Sequence, residues 1–290
     1  RSFDGGRATL ETGPWQINGF WARPVANDIE DFDDTSNDTQ SLWGVYATRK
    51  LADLLPHADA GLDLYYLGFL DDASVFVQNV GDPIREIRHT LDTRFFGTSP
   101  LGPGTLDWDL EAFYQFGRFG SGDINAWSLA SSVGYTFDTA YRPRLGLKAN
   151  VVSGDDDPDD PELESFNPLF PKGKYFGELT PVGPYNLINL QALATVQPTD
   201  RWSITLQGGP FWRESADDGV YDIPGNIVRE PGGSDARFIG WQWDAIAEAK
   251  LTRELSLLLS YSQFIPGDFI ADTGPDEAIN FAAVELLLRF

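Results

Sequence analysis

Residues 105–117 read TLDWDLEAFYQFG, and this stretch decides the fold. Apolar or aromatic side chains occupy nearly every second position: Leu106, Trp108, Leu110, Ala112, Tyr114 and Phe116. The positions between them are mostly charged or polar: Asp107, Asp109, Glu111 and Gln115. Because successive side chains of a β-strand point to opposite faces, this period of two predicts a strand with one apolar and one charged face.

The same alternation recurs along the chain. Three more segments show it clearly: Arg85–Gly97, Trp202–Arg213 and Phe238–Leu251. Weaker candidates are residues 6–12, 15–25, 41–51, 60–71, 123–137, 144–153, 186–197, 254–264 and 278–290. The pattern therefore predicts an all-β chain of about thirteen strands.

The connections between these strands alternate in length. Short ones lie at residues 13–14, 53–58, 99–104, 138–143, 198–201 and 252–253. Longer, polar ones lie at 26–40, 72–84, 154–185, 214–236 and 265–277, and only 118–122 breaks the rule. Short periplasmic turns and long external loops are typical of outer-membrane barrels. We therefore predict a transmembrane antiparallel up-and-down β-barrel.

Composition supports this class and excludes others. The formal charge of −23 and the absence of Cys argue against a nucleic-acid partner and against disulfides or thiolate metal sites. The 20 Phe, 10 Tyr, 9 Trp and 29 Gly favour short β-elements joined by turns. No apolar run reaches the length of a transmembrane helix. Arg1 follows no leader, so the sequence is silent about secretion.

The last strand and the strand count raise a question of completeness. Val284, Leu286, Leu288 and the terminal Phe290 share one face, and Phe290 is predicted to serve as a signal to the barrel-insertion machinery. Thirteen strands is an odd number, whereas single-chain bacterial barrels have even numbers. We therefore expect residues 1–290 to be the C-terminal portion of a single barrel domain, with earlier strands preceding Arg1. A miscount, with a closed barrel of about 12 or 14 strands, is the alternative.

One block of sequence is more specific than the strands. It comprises Ser153-Gly154-Asp155, Phe166-Asn167-Pro168-Leu169-Phe170-Pro171, Tyr175-Phe176-Gly177-Glu178 and Asn186-Leu187-Ile188-Asn189-Leu190. This block, with the opening Phe3-Asp4-Gly5, resembles the alginate-export family of outer-membrane channels. The resemblance implies a barrel of about eighteen strands, of which about thirteen are present here. It also implies passage of a polysaccharide, which in the best-known member is a polyanion moving outward through a basic lumen.

Residues on the inward face of such a barrel would carry the function, since they line the passage. The predicted basic lining residues are Arg88, Arg94, Lys148, Arg213, Lys250 and Arg289, with Arg7 as a further candidate. The predicted acidic ones are Glu86, Asp92, Asp107, Asp109, Glu111, Asp244 and Glu248, with Glu285 beside them. Inward acids are at least as numerous as inward bases, which departs from a lumen built for a polyanion. The bases either attract anionic solutes or pair with these acids.

The connection 154–185 carries two further hypotheses. Its first part is acidic and could hold weakly bound Ca²⁺ at Asp155, Asp156, Asp157, Asp159 and Asp160, although the EF-hand spacing is absent. The alternative is a solvated acidic loop, as for the second acidic run at Asp28, Glu30, Asp31, Asp33 and Asp34. Its second part, Phe166–Glu178, is aromatic and rich in Pro and Gly. We predict that it forms a constriction in the lumen, the alternative being an external cap.

Enzymatic signals are few. His57 lies in a predicted turn and His89 on a lipid-facing position, neither beside a Ser nucleophile. The sequence therefore predicts a passive channel in the bacterial outer membrane, in contact with lipid and lipopolysaccharide, without enzymatic activity. It would pass a polysaccharide or small polar solute, with a general diffusion porin as the alternative. A barrel enzyme and a soluble glycan-binding β-protein are the competing classes.

Overall fold

The computed structural model describes residues 2–26, 34–76 and 83–289, and in them the chain is almost entirely β. The strands are β1 (Phe3–Thr12), β2 (Trp15–Ala26), β3 (Thr35–Ser36), β4 (Gln40–Lys50), β5 (Asp59–Ser74), β6 (Ile84–Leu101), β7 (Gly104–Phe119), β8 (Gly122–Phe137), β9 (Arg144–Val152), β10 (Leu187–Thr199), β11 (Trp202–Trp212), β12 (Val220–Tyr221), β13 (Ile227–Arg229), β14 (Phe238–Lys250), β15 (Leu255–Pro266) and β16 (Ile279–Leu288). One short helix, α1 (Asp268–Thr273), lies between β15 and β16.

The long strands form one antiparallel up-and-down sheet. Its order is β1-β2-β4-β5-β6-β7-β8-β9-β10-β11-β14-β15-β16, with β3 attached to β2. These thirteen strands match the predicted segments, so the all-β fold with antiparallel neighbours is confirmed. The expectation of further strands before Arg1 stays a prediction.

Three elements interrupt connections that were predicted to be irregular. β12 and β13 form a separate hairpin within residues 214–236, and α1 occupies part of residues 265–277. Each is six residues or shorter, too short to show a period in the sequence. The exceptional connection 118–122 is a tight turn, because β7 and β8 extend until Phe119 pairs with Gly122.

The sheet is strongly curled. The Phe170 ring contacts Phe3 on β1 at 5.3 Å between centroids, whereas the Lys174 Nζ lies 2.6 Å from Glu285 Oε1 on β16. Thirteen strands laid flat at ~4.8 Å spacing would span ~58 Å. The four residues from Phe170 to Lys174 reach at most ~14 Å. The sheet must therefore bend round until β1 and β16, its end strands, lie across the same interior.

The two faces of the curled sheet differ in the sense expected of a membrane barrel. The inner face carries buried polar residues such as Gln191 and Gln242, both 0 % exposed. The outer face carries apolar residues such as Leu129, Leu206 and Val284, which are 49 %, 56 % and 71 % exposed. A water-soluble protein hides such a surface, whereas lipid covers it in a barrel. No helix in the described residues is long and apolar enough to cross a membrane.

The apolar core lies inside the curl, at the end where the long connections emerge. Inner-face residues Ile124, Leu187 and Phe211 contribute to it from β8, β10 and β11. Residues of the long connections pack with them, among them Phe166, Phe176, Val182, Val220, Phe269 and Ile270. The long connections therefore fold inward as packed structure at one end of the barrel.

Candidate functional site

Residues 153–186, here called the inner segment, are held against side chains of the inner face. The Gln115 amide on β7 exchanges two hydrogen bonds with the backbone of Asn167, at 2.7 and 2.9 Å. The Lys148 ammonium on β9 donates to the Tyr175 carbonyl at 2.8 Å, and the Tyr175 hydroxyl donates to Asn150 at 2.8 Å. The segment thus lies within the curl of the sheet, and its role as a constriction stays a prediction.

The anchors continue round the interior. The Gln191 amide on β10 donates to the Phe176 carbonyl at 2.5 Å, and the Gln242 amide on β14 donates to Leu179 at 2.8 Å. The Lys174 ammonium bridges Glu178 and Glu285, at 2.8 and 2.6 Å. These two carboxylates raise the pKa of Lys174. The segment is therefore fixed by polar contacts from β7 to β16.

The aromatic residues of the block Phe166–Glu178 pack within the interior. Phe166 is buried against Phe113, with ring centroids 5.5 Å apart. Phe170 meets Phe3 and Phe69 edge to face, and Phe176 meets Phe211 in the same way. Leu169 and Phe170 both have positive φ, so the chain turns sharply between Pro168 and Pro171. The sequence singled out this block by its aromatic, Pro and Gly content and by the family resemblance of its residues.

Gly177 in the motif Tyr175-Phe176-Gly177-Glu178 is required by its surroundings. Its φ is 157°, and a Cβ atom there would lie 2.2 Å from the Gln242 amide and 2.3 Å from the Asp244 carboxylate. Only glycine allows this close approach. The next residue, Glu178, donates its backbone N–H to Asp244 Oδ1 at 3.1 Å. The motif thus brings the backbone of the segment directly onto β14.

Two inward arginines are bound to inward acids by paired hydrogen bonds. Arg94 binds Asp109 through two hydrogen bonds, at 2.7 and 2.6 Å. Arg144 was not predicted from the sequence because it directly follows a turn, and it binds Asp107 in the same bidentate manner. The alternative in which inward bases pair with inward acids therefore describes these two sites.

Two predictions about lining residues need correction. Arg88 and Glu86 point inward but are 0 % exposed, and they bind each other at 2.6 Å, so they do not line an open passage. Arg213 is also 0 % exposed. Its guanidinium donates to carbonyls of residues 216, 218, 234 and 236 and lies 3.9 Å from the centre of the Phe269 ring. Burial lowers its pKa. Arg213 holds the long connections together.

The other predicted lining residues lie at inner-face positions. Lys250, Glu248 and Arg289 surround a cavity of about 520 Å³ at the end with short turns. Asp244 is also 0 % exposed and accepts hydrogen bonds from the Ser262 hydroxyl and the Glu178 backbone N–H, so it too does not line an open passage. Arg7 pairs in register with the inward Phe20. Asp92 and Glu111 adjoin Tyr65 and Phe113, and Tyr65 was not recognised from the sequence. Tyr65 was not predicted to face inward because aromatic and acidic residues both occur on the inner face of β5.

The acidic part of the inner segment is folded but is not a formed metal site. Burial, with the nearby Asp218, raises the pKa of Asp155 to about 6. Burial and a hydrogen bond with Asp156 raise the pKa of Glu164 to about 7. Among the residues that the structure describes, no three His, Cys, Asp or Glu side chains are grouped so as to hold a metal ion. The weak Ca²⁺ site at Asp155–Asp160 stays a prediction without a converging set of ligands.

Three other predictions concern residues away from the interior. Phe290 and Asp28, Glu30, Asp31 and Asp33 lie outside the described residues. His89 lies on the outer face, where its Nδ1 is 2.8 Å from the Tyr66 hydroxyl. The His57 carbonyl accepts a bond from the Ser99 hydroxyl at 3.3 Å, in the short connection between β4 and β5.

An antiparallel up-and-down sheet with an apolar outer face, a charged inner face and a segment folded into its interior defines a channel-type membrane β-barrel. The comparison with protein families agrees with this class, because the family model described as alginate export matches residues 1–284. The chain belongs to the alginate export family, a family of outer-membrane transport channels. No curated protein matches the sequence.

Proposed function

We propose that this protein is a passive outer-membrane channel for a polysaccharide or other polar solute, and that the inner segment narrows its passage. The observation that carries the proposal is the set of contacts from Gln115, Lys148, Gln191, Gln242 and Glu285 to the segment. Backbone without regular structure is tolerated at membrane depth where it is buried in protein or lines a water-filled cavity. Solutes would be selected by the width and charge of the remaining space, without a chemical step.

The narrowing is tested by removing the segment. Single-channel conductance in planar bilayers should rise severalfold on deletion of residues 160–180, because the interior then loses its main obstruction. Heat-modifiable gel mobility verifies that the variant still forms a barrel. Unchanged conductance in a correctly folded variant would refute the constriction.

A point substitution gives a finer test. Lys174→Ala removes the tie between the segment and Glu285 and should increase current fluctuations as the segment loosens. Lys172→Ala is the matched control, since Lys172 lies on the same segment and is exposed. Equal behaviour of the two variants would mean that the tie does not hold the segment.

A general diffusion porin is the second candidate. The pairing of Arg94 with Asp109 and of Arg144 with Asp107 favours it, because neither guanidinium is left to attract a polyanion. Blockade of the current by alginate and not by neutral glycans would support polyanion passage. Equal or absent blockade by both polymers supports the porin.

A further inference from the structure

An acidic cluster lies on the inner face of β5, β6 and β7, toward the short turns. The register places Asp63 beside Arg94 and Arg94 beside Glu111, while Tyr65 lies beside Asp92. Asp109 completes the set of four carboxylates, which surround one guanidinium. Arg94 is committed to Asp109 by its two short hydrogen bonds and lies farther from Asp63, at 3.6 Å. The cluster therefore contains four acidic groups and only one basic group.

Asp92 is the exceptional member of this cluster. Its side chain is buried, and within the described residues neither of its carboxylate oxygens has a hydrogen-bond partner. The Asp63 Oδ1 is also buried and unpartnered, while its Oδ2 accepts the Tyr46 hydroxyl. A buried carboxylate without compensation costs several kcal/mol, so such oxygens take up either a proton or a cation.

The surroundings indicate which kind of cation fits. The rings of Tyr46 and Tyr65 stack with centroids 4.8 Å apart, and Phe113 meets Tyr65 edge to face. Aromatic rings together with carboxylates recognise organic ammonium groups through cation–π attraction and charged hydrogen bonds. Three carboxylates arranged for a metal ion are not present in the described structure. Glu111 and Asp109 are partly exposed, so the cluster opens toward the interior.

We infer that Asp92, with Asp63 and Glu111 beside it, binds the primary ammonium group of a solute in the passage. The inference rests on the proposed channel function and deepens it, since it names the substrate class. The channel favours amine-bearing solutes, such as amino sugars, over acidic ones. Tyr65, whose hydroxyl donates to Glu111 at 3.0 Å, holds that carboxylate at the edge of the site.

The test measures block of single-channel KCl current by D-glucosamine, D-glucose and D-glucuronate. We expect glucosamine to half-block at a concentration about tenfold or more below that of the other two sugars. Asp92→Asn keeps the shape of the side chain, removes its charge and should abolish this preference. Asp123→Asn is the matched control, because it makes the same change at an exposed position at the start of β8, beside the β7–β8 turn and away from the cluster, and should keep the preference.

Asp63→Asn provides a second measurement should the Asp92 variant fail to assemble, and it should weaken the block by glucosamine. Stronger block by glucuronate, or a glucosamine preference that survives in both variants, overturns the inference and leaves the proposed channel standing. A folded protein that conducts no current contradicts the channel itself, and the ammonium site with it.

Discussion

Replacing Arg213 with Lys tests whether a single buried guanidinium organises the long connections. The side chain donates to four backbone carbonyls, of Ala216, Asp218, Ser234 and Ala236, at distances between 2.6 and 3.1 Å. Lysine keeps the charge but has one nitrogen on a flexible stem, so it cannot reproduce the planar fork. We expect about two of the four acceptors to lose their partner.

The magnitude follows from these lost contacts. A hydrogen bond from a charged donor contributes ~1.5–3 kcal/mol, so two lost bonds cost ~3 kcal/mol at the lower bound. That corresponds to about a 100-fold increase in local opening of the connection between β11 and β14. Loss of the guanidinium above the Phe269 ring acts in the same direction.

Hydrogen exchange followed by mass spectrometry measures this opening. Peptides covering residues 214–237 should exchange about 100-fold faster in the Arg213→Lys variant, while strands β8 to β10 stay protected. Arg237→Lys is the control, because Arg237 is exposed and close by in the sequence. Protection that stays within about threefold of the parent in both variants would refute the organising role.

Two further predictions concern the lipid-facing surface and the acidic connection. Leu206→Arg places a charge at mid-strand on the outer face and should cost ~2–4 kcal/mol of folding free energy in lipid vesicles. Gln207→Arg, at the next position of β11 and facing Asp244, should cost much less. Equal costs for the two variants would contradict the assignment of the two faces. Because the folded protein raises the pKa of Asp155 to about 6 and of Glu164 to about 7, residues 153–165 should be most protected from hydrogen exchange at low pH. That protection should fall as pH rises from about 4, the ordinary pKa of these groups, to about 7, and should level off above it. The double variant Asp155→Asn/Glu164→Gln should lose this pH dependence, and protection of the parent that rises with pH would contradict the prediction.

The strands could be predicted from the sequence because the membrane imposes opposite demands on their two faces. Lipid selects apolar side chains at positions such as Leu110, and the interior selects polar ones such as Glu111. The resulting period of two therefore appears directly in the residues. The predicted and observed bounds of β7, 105–117 and 104–119, differ only at the ends. There the strand pairing continues into the turns. Hairpin turns extend strands in this way without a change of composition.

The interior could not be predicted to the same depth. Arg94 and Arg213 occupy similar alternating positions in the sequence. Arg94 lies in a partly open interior, whereas Arg213 is enclosed by the connection between β11 and β14 and by Phe269. Which arginine is enclosed depends on where the long connections fold, and these have no periodicity. The prediction for Asp92 stops at the same point. The alternating pattern of β6 predicts that its side chain faces inward, but it does not predict that its carboxylate oxygens have no hydrogen-bond partner.

Membership of the alginate export family therefore establishes the channel architecture more firmly than the solute. Attraction of a polyanion requires basic groups that are free in the passage. Arg94 and Arg144 are bound to Asp109 and Asp107, and Lys174 is bound to Glu178 and Glu285. The oxygens without a partner near them, both of Asp92 and the Oδ1 of Asp63, belong to acidic groups. Because a fold can host different functions, a few inner-face positions decide which charge passes. At the ammonium site inferred above, Asp92 and Asp63 would favour a cationic or neutral solute over a polyanion.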